Sequence, residues 1–337
     1  PEKIKKANVG IDLGLWNQLQ ISFDAFKEKM DNGIARSTAL VPQYQGISLG
    51  AYPVTNLSKY ENKGWELAVS YRKRFNADWA LNLAGHLDYN KNKVIYIGES
   101  ALDETYAYPL RSEGYAYGQS WGYLVDWSNG NGLFNFQDEI DNSAQYSFGT
   151  PRVGDIKYQD LNEDGIIDDK DKAPIGNGSL PRYNFALNAG FSYKNLEVSL
   201  LFQGVGDYKR NYQGLISNMS SYDGIYSDAH LGAWTAEKWL NDEAISFPAL
   251  STKATTNNQT NDFMLRDASF LRLKNVEIAY NMPRKVCDVF NASAFKVYVS
   301  GQNLFTIDDL PVDMPVEGSY NSFPICRMYR VGINLTF

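Results

Sequence analysis

The chain has 337 residues, 32 Lys and Arg against 39 Asp and Glu, and a net charge of −7. Hydrophobic residues at 44% and aromatics at 14% exclude a disordered chain, and the acidic balance argues against a nucleic-acid partner. No apolar run approaches the roughly 18 residues of a spanning helix, which excludes helical insertion but not a transmembrane β-barrel, whose strands are short and alternate.

Ala7, Val9, Ile11, Leu13 and Leu15 alternate with Asn8, Gly10, Asp12 and Gly14. After Trp16-Asn17-Gln18, the alternation resumes with Leu19, Ile21, Phe23 and Ala25 against Gln20, Ser22 and Asp24. Period two on both sides of a short polar break predicts a β-hairpin. A second hairpin sets Trp65, Leu67, Val69 and Tyr71 before Asn76-Ala77-Asp78, and Trp79, Leu81, Leu83, Leu87 and Tyr89 after it. A third sets Tyr183, Phe185, Leu187, Phe191 and Tyr193 before Lys194-Asn195, and Leu196, Val198, Leu200 and Phe202 after it. Next, Leu271 and Leu273 are apolar at odd positions, but Val276, Ile278 and Tyr280 at even ones. A one-residue slip reverses the faces, so a β-bulge is expected near Lys274-Asn275. Phe295, Val297 and Val299 follow, and Tyr329, Val331, Ile333, Leu335 and Phe337 close the chain.

Short turns alternate with long excursions at about 32–60, 91–182, 205–262 and 305–326. The connection at 281–293, with Met282-Pro283, is longer than the other turns but falls on the turn side by parity. Short turns at one end and long loops at the other are the habit of a membrane barrel. Asn8, Asp12, Gln20, Asp24, Glu66, Arg72, His86, Asp88, Glu197, Gln203, Lys296 and Gln302 share one phase, fit for a wet lumen or for the solvated side of a sandwich. The opposite phase is apolar, with Trp16, Trp65, Trp79, Tyr71, Tyr89, Tyr193 and Phe337 near strand ends, as in interfacial girdles. The pattern favours barrel over sandwich. About nine strands with polar lumen residues cannot close alone into a wide pore, so the chain is expected to supply part of a barrel, with the rest on its N-terminal side. It opens Pro-Glu-Lys with no Met or signal peptide, which suggests a processed protein or a piece of one.

At these residues the chain resembles the C-terminal part of a TonB-dependent transporter of the SusC/RagA family. Asn62-Lys63-Gly64-Trp65-Glu66-Leu67 resembles the family's NKGxE strand start. Gly122-Tyr123 and the run from Gly132 to Ile140 are similar to its GY…GIFQ…EE segment, with Leu133 and Asn135 as departures. The run from Gly154 to Asp168 is close to PGDIKYxDLNGDGxID, with Val153 where the family has Pro. Ile175-Gly176-Asn177, Pro181-Arg182-Tyr183, the run from Phe270 to Val276 (FLRLKNV) and the run from Ser300 to Phe305 (SGQNLF) follow in the family's order, and Tyr329–Phe337 resembles a closing strand with a terminal Phe read by the assembly machinery. The resemblance implies an all-β fold: residues 1–337 as the C-terminal portion of a barrel of about 22 strands, with long extracellular loops. It implies a bacterial outer-membrane location, in contact with outer-membrane lipid, and partners in the N-terminal strands and plug, in TonB acting through that plug, and in a SusD-like surface lipoprotein. Neither plug nor TonB box is recognised in these 337 residues.

The sharpest local motif lies inside the 91–182 excursion, which parity places outside the cell. Residues 160–171 fit the calcium-loop template: oxygens from Asp160, Asn162, Asp164, Asp168 and Asp171, the Ile166 carbonyl, and Gly165 at the sharp turn. Asp171 replaces the usual Glu, and no helices flank the loop, so a Ca²⁺ here is expected to be structural; a solvated acidic turn is the competing reading. Tyr106, Tyr108, Tyr115, Tyr117, Trp121, Trp127, Tyr212, Tyr222, Tyr226, Trp234 and Trp239 offer rings for sugars or peptide side chains, though loop self-packing and lid contact account better for any single one. No catalytic set emerges: His86 points into the polar phase, His230 sits in a polar loop, and Glu66 and Asp88 are ordinary lumen carboxylates. Gly204-Val205-Gly206 lacks the downstream Gly and helix of a nucleotide fold. Cys287 and Cys326 make neither a disulfide framework nor a zinc set; a pair in an oxidising compartment and buried free thiols both fit.

The expectation is a non-enzymatic part of an outer-membrane importer of oligosaccharides, with oligopeptides next. Its rivals are a soluble or surface β-rich, calcium-containing carbohydrate-binding protein, a barrel lipase or protease, and a structural barrel or adhesin.

Overall fold

A computed structural model describes residues 1–36, 53–99, 111–178, 180–217, 226, 228–311, 314–318, 323 and 325–337. Nine strands form one antiparallel sheet: β1 (Lys3–Leu15), β2 (Leu19–Ala35), β3 (Thr55–Arg74), β4 (Trp79–Tyr96), β5 (Tyr183–Tyr193), β6 (Leu196–Gly206), β7 (Phe270–Asn281), β8 (Ala294–Ile307) and β9 (Met328–Thr336). Each strand pairs with its neighbour in sequence, so the wall is a simple up-and-down meander. The short turns gather at one end. Trp16 and Asn17 both take φ of 54°, a left-handed pair whose twist suits a tight hairpin, and Lys194 does the same at 52°.

Between its bulges, the register carries the alternation across the sheet. Leu13 faces Ile21, Ile21 faces Val69, Leu87 faces Phe185, and Val299 faces Val331, so the apolar phases of neighbouring strands share one face. The bulge stands where the phase break put it. Both neighbours of β7 pair with Leu273 and then with Asn275, and Lys274 is passed over. Gly64 is required by a close approach: a Cβ there would lie 2.0 Å from the Tyr89 carbonyl and 2.8 Å from the Phe26 ring, which occupies that space instead.

Two features depart from the sequence reading. First, the strands outrun the alternation: β2 extends to Ala35, β3 begins at Thr55 and β4 runs to Tyr96, so the excursions expected at 32–60 and 91–182 lose their first or last residues to the wall. Second, the densest core is not in the wall. Tyr123, Val125, Leu133, Phe134, Ile156, Tyr158, Ile167, Phe247, Phe263 and Met264 are buried together in a module made from the two longest connections. On the turn side, the segment 282–293 carries a short helix, Arg284–Val289, as parity required.

Candidate functional site

All the polar residues named from the alternation fall on one face of the wall. Asp24 pairs with Glu66, Glu66 with Asp88 and Asp88 with Asn184, a row of three carboxylates ended by an amide. Asn8 Nδ2 donates to Asp24 Oδ1 at 3.1 Å, His86 Nε2 lies 4.0 Å from Asp88 Oδ2, and Lys296 sits 3.0 Å from Glu277 and 3.4 Å from Glu197. These groups are half-exposed or exposed, as lumen residues facing water would be. Near the loop end the same face opens into a cleft of about 320 Å³ lined by Asn62, Asn90, Asn92, Asn177, Arg182 and Asn184. The buried Asn62 Oδ1 finds no partner there. Arg182 Nη1 grips Asp207 Oδ2 at 2.9 Å, tying the start of β5 to the end of β6.

Above the cleft stands the loop module, held by buried polar groups as well as rings. Asp155 is fully buried and takes a hydrogen bond from Arg152 Nη2 and another from Asn257 Nδ2, both at 2.9 Å. Tyr158 Oη donates to the Thr256 carbonyl and accepts from Asn261 Nδ2, and Tyr146 Oη lies between the Ile156 carbonyl and the Tyr158 N–H. Burial raises the phenol pKa of Tyr146 and Tyr158, which keeps both as neutral hydrogen-bonding groups.

The 160–171 loop is attached to this module by a two-residue parallel pairing of Gln145–Tyr146 with Ile166–Ile167. Glu163 and Gly165 take positive φ, 59° and 81°, which turns the chain sharply at the position reserved for Gly. Asp171 is fully buried and accepts from the Leu161 and Asp168 N–H groups, both at 2.8 Å. Burial, joined by the charge of Asp160, raises its carboxyl pKa. Asp160 Oδ2 accepts from Gly165 N–H, whereas its Oδ1 is buried with no partner. Asn162, Asp164 and Asp168 spend part of their oxygen capacity on turns, to Asp164, Ile166 and Lys170 N–H respectively. Among the described residues no three His, Cys, Asp or Glu side chains converge closely enough to hold a metal unaided. An ion here would also draw on Asn162 and the Ile166 carbonyl. The orphaned Asp160 oxygen is the observation that fits a nearby cation.

The loop aromatics are mostly structural. Tyr212 is buried, Tyr115 packs edge-on against Trp121 at 4.8 Å, Trp127 stacks on Phe263 at 5.4 Å, and Trp239 meets Phe136 at 6.0 Å. Tyr117 meets Tyr60 of the wall at 6.0 Å, and Trp234 donates to Asn135 at 3.0 Å. Tyr106, Tyr108 and Tyr222 lie outside the described residues. His230, expected in a polar loop, is instead buried, 4.8 Å from the Phe247 ring. Among the described residues Cys287 and Cys326 form no disulfide, the first being buried and the second exposed.

No protein-family profile matches the chain. TonB-dependent receptor P3 of Formosa agariphila (strain DSM 15362) is 27% identical over the whole of this chain, and TonB-dependent receptor P26 of the same organism is 30% identical over 84% of it. The chain is homologous to the TonB-dependent receptors. It spans 34% and 30% of those two relatives, about a third of the length of each. In fold it matches two solved structures of TonB-dependent barrels: the RagAB peptide transporter at a TM-score of 0.69 with 20% identity, and the RagAB peptide importer in its open-open state at 0.72 with 19%. The chain covers 100% and 99% of itself in these matches, and 35% and 34% of the solved chains. The wall thus has the fold of one sector of such a barrel, and the module is built from the loops of that sector. What sequence reasoning missed in this sector is the module's shared core. Its only advance signal was the density of Tyr, Trp, Asn and Asp in the long connections.

Proposed function

We propose that the chain is outer-membrane wall and loop platform of a TonB-dependent importer, with oligosaccharides as the first substrate class and oligopeptides as the second. The apolar face carries this reading. Val9, Ile11, Ile278, Val299, Val331 and Ile333 all stand exposed on it, an arrangement that water would penalise and hydrocarbon rewards. Two aromatic rows bound it: Trp79 with Phe191 and Tyr193 at the turn end, and Trp65, Tyr89 and Tyr183 at the loop end. Trp79 and Tyr89 lie on one strand, and at ~3.4 Å per residue and a tilt of ~40° their rows are about 25 Å apart along the membrane normal, the height of a barrel's apolar band.

The wall itself is passive. Its carboxylate and amide face lines the water path, and the Asn cleft presents both donors and acceptors, which suit sugar hydroxyls and peptide groups alike. The platform would hold substrate against a SusD-like lipoprotein, and a plug drawn by TonB would open the path. Within the platform, a Ca²⁺ held by Asp160, Asn162, Asp164, the Ile166 carbonyl, Asp168 and Asp171 would brace the loop; charge neutralisation is the chemistry it supplies. This set is supported by the unpartnered Asp160 oxygen.

The test is flotation of the native protein with outer membranes, followed by growth of a deletion strain on defined glycans or peptides as sole carbon source. Loss of growth on one class names the substrate. A protein that stays in the soluble fraction returns the question to a calcium-containing carbohydrate-binding protein.

A further inference from the structure

Beyond the loop-end aromatic row, the apolar face changes character on one flank only. Lys27 lies opposite Lys63, and Lys63 opposite Lys91, one step past the facing pair Trp65 and Tyr89. One step further, Lys5 faces Lys29, Lys29 faces Glu61, and Glu61 faces Lys93. Residues two apart on a strand share a face, so these six lysines continue the apolar face and do not point into the lumen. The same face of β5 and β6 carries Tyr183, Phe185, Leu187, Leu200 and Phe202 and no lysine.

Directly opposed like charges destabilise a sheet. Here one full row of them, Lys27, Lys63 and Lys91, and the Lys5–Lys29 pair of the next row are kept, with Glu61 and Asp31 as the acids beside them. Glu61 is shared between Lys27 at 3.0 Å and Lys29 at 3.9 Å, and Asp31 takes Lys5 at 3.4 Å. Lys63, Lys91 and Lys93 are exposed and form no ion pair with a described carboxylate. The rows start about 7 Å above the aromatic pair along the strand, the depth at which head-group phosphates replace acyl chains.

We propose that this flank of β1–β4 is a binding site for a phosphorylated lipid of the outward-facing leaflet. Its phosphates meet the ammonium groups of Lys27, Lys63 and Lys91 and of the second row, and its acyl chains lie on Trp65, Leu67, Leu87 and Tyr89. Lysine suits the task, being a mobile point charge whose stem covers apolar surface while the head reaches the phosphate layer. The proposal rests on the reading of the apolar face as lipid-facing.

The test uses the complete protein extracted in a lipid-free detergent, titrated with diphosphoryl lipid A and, separately, with inorganic phosphate, and read by native mass spectrometry. At roughly fivefold per lysine near an anionic surface, the triple variant Lys27→Gln, Lys63→Gln, Lys91→Gln should bind the lipid about 100-fold more weakly. The corresponding Arg triple should bind like wild type, and Lys73→Gln at the turn end should change nothing. Equal binding by the Gln triple, an equal loss from Lys73→Gln, or displacement of the lipid by millimolar phosphate overturns the site. A Gln triple that misfolds leaves the Arg triple to decide: weak lipid binding by a folded Arg triple also overturns it. Wild-type protein that fails to float with membranes overturns the membrane reading itself; lipid binding unchanged in a triple variant that floats overturns only this inference.

Discussion

Asn257 reaches Asp155 across 102 residues of sequence, its Nδ2 donating at 2.9 Å while its Oδ1 accepts from the Ile156 N–H at 2.7 Å. That amide is one of several links, with the Tyr158 bonds to Thr256 and Asn261, that join the two longest connections of the barrel sector into one folded body. Truncating it leaves the buried Ile156 N–H unpaired and strips Asp155 Oδ1 of one of its two donors, with only Arg152 Nη2 remaining. Asn257→Ala should cost the module about 2–4 kcal/mol, with hydrogen exchange rising over residues 123–158 and 256–263 and unchanged over β1–β4. Equal loosening of wall and module would show that they are not separate bodies.

Tyr158→Phe removes only the hydroxyl that bridges the Thr256 carbonyl and Asn261 Nδ2. It keeps the ring stacked on Tyr146 at 5.5 Å. The expected loss is smaller, about 1–2 kcal/mol in the same exchange experiment.

Val69 and Ser70 are consecutive but face opposite ways, Val69 opposite Ile21 and Ser70 opposite Gln20. Arginine at Val69 should cost about 2–4 kcal/mol in lipid, whereas arginine at Ser70 should cost little in a wet lumen. Urea unfolding in liposomes measures both. Similar costs would contradict the assignment of faces.

The raised pKa of Asp171 fixes the sign of a pH effect. A carboxyl whose folded pKa is raised contributes stability that is fully present below its unfolded pKa and is lost as pH rises through the folded value. In EGTA, the 160–171 loop should therefore exchange faster as pH climbs from the ordinary carboxylate range. Ca²⁺ should abolish that rise by neutralising Asp160 and Asp171. An identical pH profile with and without Ca²⁺ would remove the ion from the account.

Deleting Lys274 tests the bulge. Without it, Leu271, Leu273, Val276 and Ile278 stand two residues apart along a regular strand, so the deletion should keep them on one face and largely preserve the folded fraction seen as heat-modifiable mobility, whereas deleting Glu277, which leaves Val276 and Ile278 adjacent, should sharply reduce it. Lys274→Ala should be nearly silent, within about 0.5 kcal/mol.

The wall was legible because a barrel strand obeys a period of two wherever lipid touches one side and water the other. Leu19 to Ala25 and Trp79 to Tyr89 report that directly, and even the slip at Lys274 was visible as a change of phase. Legibility stopped at the membrane boundary. Past Ala25 and Tyr89 both faces of β2 and β4 are wet, so Lys27, Lys29, Lys91 and Lys93 stand where apolar residues would have kept the alternation, and the strands read as loop. The platform was illegible for another reason. Its core joins Phe134, Ile156 and Phe247 from distant segments with little regular secondary structure, and no local period encodes such contacts. The 160–171 turn was the exception, because its geometry is set by residues close in sequence.

The path from β4 to β5 has a consequence for how such a protein can diversify. Tyr89 and Tyr183 are paired neighbours in the sheet, with ring centroids 4.9 Å apart, although the whole 91–182 connection separates them in the chain. The wall's pairing is therefore the same whatever hangs between those two tyrosines. Closing a longer loop costs only about 0.6 kcal/mol per doubling of its length. Recombination could exchange the entire outer segment at this seam, and the recipient barrel would insert as before while meeting its surroundings with a new surface.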